Sequence, residues 1–114
     1  MERSEFMRRL VLNEISNDYE NVDQCILRHA AVEASRCGLT INRAEVVAAL
    51  TSLVEAGLAK AYVLPDTTEL IGMPPLDMIV EDFKTYFYIT KKGMEVHLAD
   101  DDWFAVREGR IDLA

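Results

Sequence analysis

The chain is poor in the residues that build sites or tie small folds together. It has two cysteines, two histidines, three prolines, five glycines and one tryptophan in 114 residues. Two thiols cannot make a disulfide framework. Low proline and glycine exclude collagen-like and low-complexity chains. No apolar stretch approaches the roughly 7 to 15 residues of a signal-peptide core or the ~20 of a membrane span, so no membrane is expected and the protein is expected in the cytoplasm. Base is scarce too: twelve Lys and Arg stand against twenty Asp and Glu, for a formal net charge of -8. A protein that holds DNA through phosphates usually carries a basic stripe, so this balance opposes strong nonspecific DNA affinity.

Phosphate-binding glycine loops and dinucleotide fingerprints are missing. His97 has no serine or cysteine linked to it by spacing, and no enzyme is expected. Cys25, His29 and Glu33 recur at i, i+4 and i+8, but three residues along one straight helix span about 12 Å and cannot surround an ion. Asp100, Asp101 and Asp102 point in different directions and read as a solvated run. Neither a metal nor a cofactor is expected.

Half of the residues are apolar, and their spacing divides the chain into elements of one domain, residues 1–114. Phe6 with Leu10, and Met7 with Val11 and Ile15, predict a first helix over Ser4 to Asn17, capped at Ser4. After the polar run Asn17 to Asn21, a capping box of Asn21 and Gln24 opens a second helix that buries Val22, Ile26, Ala30 and Cys37 and stops at Gly38. Cys25 and Cys37 would lie about 18 Å apart on it, as reduced and mostly buried thiols. Leu39-Thr40-Ile41 suits a brief strand or extended link. Asn42 and Glu45 form another capping box, and Val46, Leu50 and Leu53 mark one face of a third helix that ends at Gly57.

The period then changes to two. Ala59 to Leu64 and Phe83 to Ile89 predict antiparallel strands, Ala61 and Val63 pairing with Phe87 and Ile89 while Tyr62, Tyr86 and Tyr88 face outward. Residues 65–83 form a long wing bent at Pro74-Pro75, with Met78 to Val80 as an extension of the second strand. Thr90 caps a short last helix through Leu98 that Asp100 to Asp102 end. Residues 99–114, with Trp103, Phe104, Val106 and Ile111, read as an acidic tail too polar to form a core element.

The fold class expected is α+β, a three-helix core with a two-stranded antiparallel wing and a short C-terminal helix. The run EVVAALTSLVEAGLAKAYVL, with its turn Leu53 to Leu58, resembles the third helix and first wing strand of winged-helix regulators. YFYITKKGMEV, with Ile89-Thr90-Lys91-Lys92-Gly93, resembles the closing strand and helix start of PadR-like and MarR-like transcriptional regulators. That resemblance implies a winged helix-turn-helix that places its third helix in the DNA major groove. Asn42, Arg43, Thr51, Ser52, Lys84, Lys91 and Lys92 are then the candidate DNA contacts. The alternative is an acidic winged-helix module that binds protein and not DNA. Tyr62, Tyr86, Tyr88, Met73, Leu76, Trp103 and Phe104 are its candidate interface, either for another protein or for a second copy in a homodimer.

Overall fold

The computed structural model describes residues 1–81 and 84–109. Helix α1 runs Arg3–Glu14, capped by the extended backbone of Glu2 and not by Ser4, which lies inside the first turn. Phe6, Met7, Leu10, Val11 and Leu12 form its buried stripe. The backbone then leaves the helix, and a π-helical turn over Val22–Ile26 leads into α2, Leu27–Arg36. The Asn21 side chain accepts from the Gln24 N–H at 3.1 Å, as the spacing indicates.

Helix α3 spans Arg43–Glu55. Its capping box is complete: Asn42 Oδ1 accepts from the Glu45 N–H at 3.0 Å, and Glu45 Oε1 accepts from the Asn42 N–H at 3.3 Å. Arg3 reaches across from α1 to the same Glu45 carboxylate at 2.6 and 3.0 Å, which holds that carboxyl below the usual carboxylate range. Val46, Ala49, Leu50 and Leu53 are buried. At the far end Gly57 takes a positive φ of 75°, which lets the Leu58 N–H reach the Leu53 carbonyl at 2.9 Å and the Gly57 N–H reach Val54 at 3.1 Å. These two hydrogen bonds satisfy carbonyls that a helix end leaves open.

Strand β1, Ala59–Val63, follows at once. It is central in a three-stranded antiparallel sheet of order β2-β1-β3, with β2 at Thr68–Glu69 and β3 at Thr85–Ile89. The expected two-stranded wing therefore gains a strand. Ala61 faces Phe87 as the pattern requires, but Ile89 faces Ala59 and Val63 faces Thr85. The period-two pattern fixes which face a residue takes, and several registers share that pattern. Leu39 to Ile41 form no strand. The bridge lies instead in the polar run after α1, where Glu20 exchanges both backbone hydrogen bonds with Phe87 at 3.0 and 2.8 Å.

The connection from β2 to β3 runs through α4, Leu76–Glu81, so Met78 to Val80 are helical and do not extend β3. Ile79 enters the core, and Thr85 Oγ1 donates to the Met78 carbonyl at 3.4 Å. Phe83 lies outside the described residues, as do residues 110–114 and with them Ile111. Helix α5, Lys91–Leu98, begins at the Thr90 cap as the sequence indicates.

The largest departure is the end of the chain. Asp100 does not end a helix but starts one: its side chain accepts from the Trp103 N–H at 3.1 Å and opens α6, Asp101–Arg107. Trp103 is fully buried, its ring centroid 5.9 Å from that of Phe6, with the Arg107 guanidinium over the ring at 5.6 Å. Polar residues on α6 face outward while Trp103, Ala105 and Val106 point inward, so its average polarity hides a core face. Cys25 and Cys37 are free thiols, both half-buried and less enclosed than expected. Among the described residues no helix is long and apolar enough to cross a membrane.

Removing the Trp103 side chain leaves a cavity under α6. Trp103→Ala is expected to cost about 3 to 5 kcal/mol in urea denaturation. A loss below about 1 kcal/mol would mean that α6 is not part of the cooperative core. Neighbouring His97 is buried between α5 and α6, and desolvation holds its pKa below the usual histidine value, opposed by Asp100 and assisted by Arg107. A histidine whose folded pKa is depressed contributes stability above its unfolded value of about 6.5 and loses it as pH falls through the folded value. Stability of the native chain should therefore fall more steeply from pH 7 to 5 than that of His97→Gln, measured as denaturation midpoints.

Candidate functional site

Helix α3 and its cap carry four of the expected DNA-contacting residues, Asn42, Arg43, Thr51 and Ser52, and their partners determine what they can do. Asn42 is engaged as the helix cap. Arg43 Nε donates to Asp23 Oδ1 at 2.8 Å, tying α3 to the π-helical turn. Thr51 Oγ1 donates back to the Val47 carbonyl at 2.9 Å, and Ser52 is half-buried. Lys92 Nζ donates to the Ala56 carbonyl at 3.1 Å, at the end of α3 opposite Arg43 and about 20 Å away along the helix. Lys91 is exposed beside it, and Lys84 is exposed just before β3. These cations are distributed along the fold and do not converge on one face of α3.

The aromatic set divides similarly. Tyr62, Tyr86 and Tyr88 alternate with buried residues on β1 and β3, and Tyr62 faces Tyr86 directly across the strands. All are half-buried. Tyr19, from the polar run after α1, covers part of this surface, its ring 5.1 Å from Tyr62 and 4.6 Å from Tyr88. Trp103 belongs to the core and cannot serve as a surface contact, which corrects that expectation. Phe104 is partly exposed beside His97, Met73 packs against the core, and Leu76 is exposed. Ile71, beyond β2, is fully exposed.

Two grooves of about 480 and 460 Å³ flank Arg8 on α1. One runs between α1, the α3–β1 turn and α5, over Leu12, Leu53, Leu58 and Val96; the other lies between α1 and α3, over Met7, Ala48 and Ala49. Both have apolar floors with charged rims.

The remaining constellation was not visible in the sequence. His29 Nδ1 lies 3.9 Å from Glu14 Oε2 and 4.0 Å from Glu20 Oε1. Desolvation, reinforced by the neighbouring charges of Glu20 and Glu33, pushes the Glu14 carboxyl up to about 7, and desolvation raises Glu20 as well. Cys25 and Glu33, which share a stripe with His29 in sequence, are not in this group; Glu33 pairs with Arg107 at 3.1 Å and with Arg36 at 3.4 Å. The group's members come from α1, from the bridge to β3 and from α2, so no spacing rule joins them.

Comparison with known proteins finds no likeness: no family model matches the chain, and no curated protein or solved structure matches it either. The chemistry of the surfaces is what bears on function.

If Tyr19 is a structural cover for the tyrosine face, its ring should couple to Tyr88. A double-mutant cycle of Tyr19→Ala and Tyr88→Ala is expected to give about 0.5 to 1.5 kcal/mol of coupling in stability. Additive losses would show that the rings act independently.

Proposed function

We propose that the chain is a winged-helix interaction module that binds protein, and that it works without catalytic chemistry. The order of elements supports the winged-helix part: helix, bridge, helix, helix, strand, a connection holding β2 and α4, strand, helix, with α6 added after it and an antiparallel sheet packed beside α3. The observation that carries the protein-binding part is the Arg43–Asp23 pair. A DNA-reading third helix needs free cations at its start, and here that cation already has a carboxylate partner from the preceding turn. Lys92 is engaged at the other end, and the net charge of -8 repels phosphate at distance. The grooves beside Arg8 offer a protein partner, including a second copy of the chain, the apolar floor and charged rim that such contacts use. Two free thiols suit a cytoplasmic setting.

The regulator reading keeps one observation in its favour, the same order of elements. A fluorescence-anisotropy titration with random-sequence duplex DNA separates the two. Binding at about 150 mM salt should be weaker than the usual nonspecific range of roughly 10⁻⁴ to 10⁻⁶ M. Micromolar affinity that falls with salt, at a log-log slope of about -0.9 per phosphate contact, would reject the protein-binding reading and leave a DNA-binding regulator.

A further inference from the structure

Burying like charges together costs free energy unless something neutral or positive relieves it. Glu14 and Glu20 present this problem at the junction of α1, α2 and the edge of β3. Their side chains are 11% and 17% exposed, while His29 is 59% exposed at the mouth of the cluster. Asp18 adds negative field near Glu20, and Glu33 adds it near Glu14; Arg107 offsets part of the latter. Among the described residues, the ion pairs that reach Glu14 and Glu20 both come from His29. Glu20 also carries an oxygen, Oε2, that is shielded from solvent and has no hydrogen-bond partner.

The geometry points to a divalent transition-metal site formed by Glu14, Glu20 and His29, with Zn²⁺ as the ion it fits best. One ligand atom from each residue lies within 4.8 Å of the others. Ligand bonds of about 2.0 to 2.2 Å place neighbouring donors about 3 to 3.5 Å apart, so the present spacing closes with side-chain rotations of under about 1 Å. The exposed His29 has room to make them. Glu20 contributes rigidity, because both of its backbone groups are bonded to Phe87.

Donor chemistry selects the class of ion. An imidazole nitrogen with two carboxylate oxygens suits zinc and its neighbours, whereas magnesium and calcium prefer oxygen alone. Three protein ligands leave the remaining positions to water. A dication here places positive charge between the two carboxylates. This assignment is independent of whether the chain binds protein or DNA.

The test is isothermal titration of the full chain with Zn²⁺, and in parallel with Mg²⁺. One Zn²⁺ per chain is expected, with Mg²⁺ at least tenfold weaker. His29→Ala alters an exposed side chain and should retain the fold while weakening Zn²⁺ by at least about 10- to 100-fold, as should Glu20→Gln. Cys25→Ser and Cys37→Ser should leave the affinity unchanged. Cobalt or zinc addition should shift the ring resonances of His29 and not those of His97. No saturable binding, equal binding by His29→Ala, equal affinity for Mg²⁺, or loss of binding in Cys25→Ser would each overturn the assignment.

Discussion

The carbonyl oxygen of Leu58 is the point on which the arrangement of α3, the sheet and α5 depends. It accepts the Thr90 N–H at 3.0 Å, and Thr90 Oγ1 in turn donates to the Gly57 carbonyl at 2.7 Å while accepting from the Gly93 N–H at 3.0 Å. One threonine thus closes the end of α3, pins the strand that follows it and starts α5. Gly93 makes this approach feasible, since a Cβ at that position would overlap the Leu58 oxygen and crowd Ile89. Its glycine requirement comes from contact and not from backbone angle, whereas Gly57 needs its positive φ for the turn itself. The two sequence motifs, Leu53 to Leu58 and Ile89 to Gly93, are therefore two halves of one joint. Each is weak by itself because only their meeting has a structural consequence.

What could be read in advance follows from how local each determinant is. The Asn42–Glu45 capping box, the stop at Gly57 and the Thr90 cap involve neighbours within a few residues, and all form as the chain indicates. The tyrosine alternation on β3 is equally local. Register is not, and Val63 pairs with Thr85 although the same alternation allows other partners. Polarity averaged along a segment was misleading at α6, where acidic residues at the helix start conceal the inward face that carries Trp103. The wing hid a helix and a short strand because a stretch punctuated by Pro74 and Pro75 has no clear period.

Function was less legible for the same reason. Arg43 at a helix start is a natural phosphate contact until its partner is known, and Asp23 is twenty residues earlier. Trp103 suggested a sticky surface until Phe6 was found beneath it, at the other end of the chain. Basic residues recur in this pattern: Arg3 goes to Glu45, Arg9 to Asp100 at 2.8 Å, and Arg107 to Glu33. In an acidic chain, arginines are drawn into ion pairs between elements, and each such pair removes a cation from the set available to phosphate. Individually these partly exposed pairs stabilise by little, about 1 kcal/mol or less. Their effect on what the surface can bind is larger than their effect on stability.

The Glu14–Glu20–His29 cluster is the converse case, acid with no arginine in a direct ion pair among the described residues. Glu20 sits there because its backbone completes the edge of β3, where Phe87 occupies the core on the other side of the strand. Glu14 arrives because α1 must end near Ile15, whose carbonyl accepts the Ile89 N–H at 3.1 Å. Both carboxylates are thus delivered by backbone pairing that serves the sheet, and α2 delivers His29 opposite them. Neither backbone arrangement would change if the side chains were neutral, so stability alone gives no reason for acid at these positions. Asparagine or glutamine there would avoid the repulsion at no cost to the sheet. A requirement for negative donors at that junction is the simplest physical reason for two glutamates to converge on a histidine in a region where Asp18 and Glu33 already oppose them.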